Sequence, residues 1–294
     1  MTAQIRTTIG FHNAIIDAAE QIRPLPQTVT KLAQLVADPD TPLDEIAATV
    51  QEDPALVSAL LREANSATSA ARDGVGTVEA AIVRLGSART VAIAVSSSLA
   101  DVAESGLEGY GIASDEFWNR SKAAMFVAEI LAMLCRGRLD RSVVTAAVLH
   151  DIGKIVLSPY LKADHYLAAL KDTGNEAIAE RLLIDIDHAE VGAMLSAHWK
   201  LPAPIVNAIK GHPCLDGGET EMARAVHLAD FMAQQMLAYQ VEAKDPQAVD
   251  RAKLTIQQFG IDTKKFVERC EQRLEDAGYI LNPTDAITEL TSGN

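Results

Sequence analysis

Signals that start and stop helices follow one another closely along this chain, with short amphipathic segments between them. Asp53-Pro54 and Thr77 are typical helix starts, because a side-chain oxygen can cap free backbone N–H groups and proline fits the first turn. Between such signals apolar residues recur at the helical period, as Leu56 and Leu60 do. No run of residues alternates convincingly in the manner of a β-strand. The pattern predicts an all-α fold of short, tightly connected helices.

Composition and glycine placement predict two helical lobes and a C-terminal extension. The 294 residues are 48% hydrophobic, which excludes a mainly disordered chain and allows a sizeable core. The segment Ala103–Ser114 holds three glycines without a clear period, and we expect a lobe boundary there. We therefore assign an N-terminal helical lobe to residues 1–108, a second lobe to 109–240 and a helical extension to 241–294. The tail from Asn282 to Asn294 is expected to be loosely held.

Charge and cysteine usage exclude several functional classes. Lys and Arg number 26 against 40 Asp and Glu, a net charge of −14, which disfavours nucleic-acid binding through phosphate contacts. The short helices of residues 41–65 superficially suggest a helix-turn-helix, but they carry only Arg62 among several acids. The three cysteines show no CxxC spacing. Because neither a secretory signal nor an apolar run of membrane-spanning length is evident, we expect a cytoplasmic protein without a membrane partner.

The segment His150-Asp151-Ile152-Gly153-Lys154 is the strongest signal of chemistry. Imidazole nitrogen and carboxylate oxygen both suit a divalent metal, and side chains about 100° apart on a helix can reach one ion. The alternative is a capping Asp151 beside a surface histidine. We predict a helix over Arg141–Asp151 that ends at Gly153. Lys154 could contact a phosphate, although a solvated lysine after a helix is more common.

The surrounding sequence TAAVLHDIGKIVL resembles the HD superfamily of metal-dependent phosphohydrolases, and its HD-GYP relatives in particular. In that family an earlier histidine, the His-Asp pair and a later aspartate bind metal. The resemblance implies that Asp230, in HLAD, is the later aspartate, and that His188 and His212 are additional ligands. It therefore implies a divalent ion (iron, manganese, magnesium or zinc) held by His150, Asp151 and these three residues.

Two positions depart from the catalytic pattern. The earlier histidine is expected about 30 residues before His150, and Arg120 stands there instead. Arginine offers only hydrogen-bond donors and carries a fixed positive charge, so it cannot ligate a cation. No Gly-Tyr-Pro triplet follows His212. The ligand set that the resemblance implies is therefore incomplete.

Longer segments narrow the resemblance to one subfamily. LPQTVTKLAQLVADPDTPLDEIAATVQEDPALVSALLREANSA and GVGTVEAAIVRLGSARTVAIAVSSSLA resemble the HDOD domain, the HD-related output domain of bacterial signalling proteins. HAEVGAMLSAHWKLPAPIVNAI fits the same family, and the resemblance runs from about residue 20 to about 235. It implies an all-α, two-lobed helical bundle with an HD-domain-like second lobe. It also implies a regulatory role, often with a degraded metal site.

Three interpretations of the candidate site remain open. In the first, Arg120 forms a bidentate ion pair with Asp151 or Asp230 and replaces the metal as countercharge, which leaves a structural remnant. In the second, the remaining ligands still hold a metal. In the third, Arg120, Lys122 and Lys154 hold a phosphate-bearing ligand.

These interpretations give two functional hypotheses. The first is a non-catalytic bacterial signalling module that binds a partner protein or a small nucleotide-like ligand. The alternative is a metal-dependent phosphohydrolase that acts on a nucleotide or a cyclic dinucleotide, with Asp151 and Lys154 as catalytic residues. Arg120 and the missing triplet disfavour the alternative, because hydrolysis requires a metal-activated water.

Overall fold

The computed structural model describes residues 14–38, 40–66, 74–99, 107–213, 220–237 and 247–292. Helices and their connections account for these residues, and none of the described segments forms a β-strand. Leu107 and Ile112 make one isolated antiparallel bridge. The predicted all-α fold is therefore confirmed.

The first lobe is a set of short helices with the predicted caps. They are α1 (14–21), α2 (Gln27–Ala37), α3 (Leu43–Gln51), α4 (Pro54–Ala64), α5 (Val78–Leu85) and α6 (Ser87–Leu99). The Asp53 carboxylate accepts the backbone N–H groups of Ala55 and Leu56, and the Thr77 hydroxyl accepts that of Ala80. These contacts satisfy donors that a helix start otherwise leaves free.

The second lobe is built around one long buried helix. It contains α7 (Ser114–Leu134), α8 (Val143–Leu149), α9 (Gly153–Leu157), α10 (Ala163–Thr173), α11 (Glu176–Ile184), α12 (His188–His198), α13 (Ala203–Gly211) and α14 (Glu221–Leu237). Helix α7 packs against α8 and α14 and against a later helix, α16 (Thr263–Asp276). Because it has neighbours on several sides, α7 is apolar around most of its circumference rather than along one stripe.

The C-terminal residues pack onto the second lobe, which corrects the expectation of a loose tail. They form α15 (Ala248–Gln258), α16 and α17 (Asp285–Ser292). Ile287 and Leu290 of α17 are buried, and Thr284 donates its backbone N–H to the Gln235 carbonyl. The tail is therefore held by an amphipathic face. The predicted boundary after residue 240 and residues 103–106 lie outside the described residues, so the three-part division stays a prediction.

One stretch among the described helices, Val143–Tyr160, is long and apolar enough, by length and composition alone, to cross a membrane. Its mean hydropathy is 1.2, and 83% of it is buried inside the protein. Packing against neighbouring helices accounts for its apolar character.

Gly153 does not end the helix of the His-Asp pair, as we predicted, but begins α9. The preceding helix stops at Leu149, followed by a turn. A Cβ atom on Gly153 would overlap the His188 carbonyl oxygen and approach the Gly192 nitrogen. Glycine is needed because α9 and α12 touch backbone to backbone, a contact that local sequence does not reveal.

Replacing Gly153 with alanine is therefore expected to lower the free energy of unfolding by about 1–3 kcal/mol, because the added methyl group must push two backbones apart. Gly76→Ala is the matched control, since a Cβ there meets nothing within 4 Å. Chemical denaturation of both variants measures the difference. Equal stability of the two would contradict the close approach of α9 and α12.

Candidate metal centre

Five residues that the resemblance implied lie together in the second lobe. They are His150 at the end of α8, Asp151 in the following turn, His188 at the first position of α12, His212 directly after α13, and Asp230 in α14. All three histidines and Asp151 are at least 96% buried. Ligand atoms of His150, Asp151 and His212 lie within 4.8 Å of one another.

The three imidazoles are fixed so that their Nε2 atoms point inward. His150 Nδ1 lies 2.7 Å from the Ala147 carbonyl oxygen, and His212 Nδ1 lies 2.7 Å from that of Ile209. A carbonyl only accepts, so each Nδ1 carries the proton and each neutral Nε2 offers a lone pair. His188 Nδ1 is 2.7 Å from Glu180 Oε2, which fixes its ring in the same way.

The nearest neighbours of these Nε2 atoms are each other and two carboxylates, which are acceptors rather than hydrogen-bond donors. The Nε2 atoms of His188 and His212 are 3.2 Å apart. His150 Nε2 lies 3.2 Å from Asp230 Oδ1 and 3.4 Å from Asp151 Oδ2, yet it makes no hydrogen bond with a described residue. Acceptors brought this close require a proton or a cation among them.

The pKa values record the same accumulation of negative charge. Burial disfavours the charged imidazole of His188, but the Glu180 carboxylate outweighs it and raises the pKa to about 9. Burial opposes ionisation of Asp151 as well, yet His150 and Lys154 hold the pKa of that carboxyl well below its usual range. His212 has its pKa lowered by burial and by the two neighbouring histidines. The cluster therefore keeps its carboxylates ionised and attracts positive charge.

Lys154 is a buried member of the cluster, which overturns the expectation of a solvated lysine. Its side chain is fully buried, with Nζ 2.8 Å from Asp151 Oδ2 and 2.6 Å from Glu176 Oε2. Burial disfavours the ammonium, but the Asp151 and Glu176 carboxylates raise the pKa of Lys154 above its ordinary value. Glu176, the first residue of α11, was not among the predicted site residues.

Arg120 does not form the predicted bidentate ion pair with Asp151 or Asp230. Its shortest ion pair joins Nη2 to Glu176 Oε1 at 3.8 Å, and the Arg120 side chain is 7% exposed. Lys154, rather than Arg120, forms the ion pair with Asp151, because it follows that residue by three positions and reaches it directly. Lys122 is exposed on α7, two residues from Arg120 and so on the other side of the helix, and the structure does not bring it into the cluster.

Glu180 is a further residue that sequence reasoning missed. It is fully buried in α11 and accepts hydrogen bonds from the backbone N–H of His188, at 2.7 Å, and from the Tyr110 hydroxyl, at 2.8 Å. A signal was present, because Glu180 falls on the same helical stripe as Ala177 and Ile184. An acid on an apolar stripe indicates a buried partner.

The cluster opens into a cleft of about 520 Å³. His188, His212, Glu176 and Asp230 line its inner end. Residues of α14, α15 and α17 line much of the rest, including Gln234, Arg251, Asp285 and Glu289, together with the turn between α10 and α11. A volume of this size accommodates a nucleotide-sized molecule.

The donor set fits a divalent cation. Three imidazole nitrogens, which ligate a metal in their neutral form, and two carboxylates converge, which is the mixed nitrogen and oxygen set that zinc, iron and manganese accept. The cluster contains four carboxylates, those of Asp151, Glu176, Glu180 and Asp230, and two fixed positive charges, those of Lys154 and Arg120. One divalent ion would therefore balance the formal charge of the cluster.

A family comparison decides the assignment. The sequence model of the HDOD domain family matches residues 22–213 of the chain. The chain belongs to the HDOD family. An uncharacterised protein of Treponema pallidum (strain Nichols) is 26% identical over 206 residues, which are 68% of this chain. The chain spans only 39% of that relative, so the relative's full activity does not transfer to this HDOD protein.

Solved structures share the fold of this HDOD protein. An HDOD domain protein with unknown function from Geobacter sulfurreducens has a TM-score of 0.68 at 18% identity and covers 98% of both chains. A "Putative phosphohydrolase" from Shewanella amazonensis SB2B has a TM-score of 0.66 at 23% identity, over 95% of this chain and 98% of the other. A "Putative signal transduction protein" from Marinobacter aquaeolei VT8 scores 0.67 at 20% identity, over 97% and 65%. At these identities the likeness shows the fold alone.

Proposed function

We propose that this HDOD protein is a bacterial signalling module whose second lobe holds one divalent cation and whose cleft receives a small ligand or a partner segment. The observation that carries the proposal is the convergence of three Nε2 lone pairs on two carboxylates in a buried cluster. Each imidazole is already oriented by an acceptor at Nδ1, an arrangement typical of metal-ligating histidines. The place of action would be the cytoplasm.

His150, Asp151, His188, His212 and Asp230 would hold the ion. A bound divalent cation would supply Lewis-acid character at the inner end of the cleft. Lys154 contacts Asp151 Oδ2, the oxygen that also lies 3.4 Å from His150 Nε2, and Gln234 donates to both oxygens of Asp230 at 2.8 and 2.9 Å. These contacts orient the carboxylates before a cation arrives.

A metal-dependent phosphohydrolase is the second candidate function. The cleft favours it, because His188, His212 and Asp230 are reached from solvent at the same place where a substrate would enter. Arg120, at the position of the family's earlier histidine, disfavours it because it removes one ligand and adds positive charge.

A phosphodiesterase assay separates the two functions. Purified protein is loaded with Mn²⁺ or Fe²⁺ and tested on cyclic dinucleotides and nucleotides beside the Asp151→Ala variant. The signalling proposal predicts that both proteins give the same background rate. Turnover by the wild type that Asp151→Ala abolishes would establish the phosphohydrolase instead.

Glu180 is expected to tune the cation affinity through His188. The variant Glu180→Gln should weaken Mn²⁺ binding about 10- to 100-fold, because an amide polarises the imidazole less than a carboxylate does. Tyr110→Phe is the matched control, since it removes the other contact of Glu180 and keeps the charge. Calorimetric titration compares the variants. Equal affinities for Glu180→Gln and the wild type would refute the orienting role.

A further inference from the structure

Arg120 is a buried cation with donors that no described residue accepts. The residue is 6% exposed, and neither Nε nor Nη2 has a hydrogen-bond partner among the described residues. Glu176 Oε1, at 3.8 Å, lies beyond hydrogen-bond distance. Buried guanidinium donors without acceptors are costly, so their persistence points to an acceptor that arrives from outside the protein.

Lys154 and Tyr166 are two more buried donors in this part of the protein. Lys154 Nζ reaches Glu176 Oε2 from α9, and the Tyr166 hydroxyl of α10 is buried without a partner among the described residues. Burial and the Glu176 charge raise the pKa of Tyr166, while the Arg120 charge lowers it, so both charges act on this hydroxyl. Donors from α7 and α9 therefore pair with the Glu176 carboxylate, and its charge also acts on the unpartnered hydroxyl of α10.

The Glu176 carboxylate stands between these donors and the cleft. It lines the cleft wall, and its side chain is 18% exposed, whereas Lys154 behind it is fully buried. Gly174, with a φ of 68°, and Asn175 precede it, so the side chain lies at the start of a helix next to a tight turn. A small rotation of the side chain toward the cleft would give an incoming anion access to Arg120 and Lys154.

We propose that Arg120, Lys154 and Tyr166 form a binding subsite for the phosphate group of a small phosphorylated ligand, and that the Glu176 carboxylate fills this subsite until the ligand displaces it. Guanidinium and ammonium donors match phosphate oxygens in geometry and charge. The cleft has the volume for the remainder of a nucleotide-sized molecule. This inference rests on the proposed ligand-binding role of the cleft and needs no metal.

The test is a calorimetric titration of chelator-treated, full-length protein with inorganic phosphate and, separately, with adenosine monophosphate. Removing the internal anion in Glu176→Gln should tighten binding of both probes by about tenfold or more, because Arg120 then loses its shortest ion pair and Lys154 keeps only Asp151. Adding Arg120→Gln to that variant should return the affinity to the wild-type level. Tyr166→Phe in the same background should weaken it about two- to tenfold, since one neutral hydrogen bond is lost.

Asp172→Asn is the matched control, because it removes one negative charge from an exposed position of α10 near the same turn. It should bind phosphate as the wild type does. If Glu176→Gln binds no more tightly than Asp172→Asn, the subsite is refuted. If Arg120→Gln does not fold, Tyr166→Phe decides, and unchanged affinity in that variant overturns the proposal. Because every titration is metal-free, failure here leaves the cation proposal standing, and loss of cation binding leaves this one standing.

Discussion

Replacing Lys154 with methionine is expected to destabilise the protein by about 3–5 kcal/mol. The ammonium is fully buried between Asp151 and Glu176, at 2.8 and 2.6 Å. Methionine preserves much of the volume but leaves two buried carboxylates without their shared cation, which is the costly way to break a buried ion pair. For a chain of this size the melting temperature should fall by roughly 10 °C.

Thermal unfolding in the presence of a chelator measures this effect. Lys171→Met is the matched control, because Lys171 is exposed on α10 and should tolerate the same change. The double variant Lys154→Met/Glu176→Gln should recover part of the loss, since it also removes one of the stranded charges. A melting temperature for Lys154→Met equal to that of Lys171→Met would show that the buried ion pairs do not stabilise the fold.

Replacing Asp151 with asparagine is expected to weaken Mn²⁺ binding by more than about 100-fold. Asp151 belongs to both groups of potential ligands in the cluster, one with His150 and His212 and one with Glu176 and His188. Its loss removes a charged ligand, and even changes to groups that only hydrogen-bond to a ligand cost about 10- to 100-fold in metal affinity. The same change leaves Lys154 with only Glu176 as a partner.

Calorimetric titration with Mn²⁺, preceded by circular dichroism to confirm helicity, tests this expectation. Asp172→Asn again serves as the control, with the same change of charge outside the cluster. Affinity in Asp151→Asn within a few-fold of the wild type would exclude Asp151 as a ligand.

Local patterns predicted the helices well because caps and apolar periodicity act within a few residues. Asp53 and Thr77 cap their helices as expected, and the core is mainly aliphatic. Gly153 was misassigned because its requirement comes from α12, which lies some 35 residues further along the chain. The packing of α17 was missed for the same reason, since its partners are in α14 to α16.

The same contrast between local sequence signals and distant packing applies to the candidate site. His150, Asp151, His188, His212 and Asp230 were named from motifs, and the fold brings them together. Arg120 was expected beside an aspartate but lies nearest to Glu176, because no motif marked the acids of α11. The charge balance of the cluster depends on Glu176 and Glu180, so it became evident only once α11 was positioned.

The metal content of the purified protein tests the central claim most directly. Wild-type protein incubated with Mn²⁺, passed through gel filtration and analysed by plasma mass spectrometry should retain about one divalent ion per chain, as we infer from the ligand set and charge balance of the cluster. Asp151→Asn, treated identically, should retain almost none. Wild-type protein that retains no more metal than Asp151→Asn would contradict the account and identify the cluster as an ionic remnant that stabilises the fold.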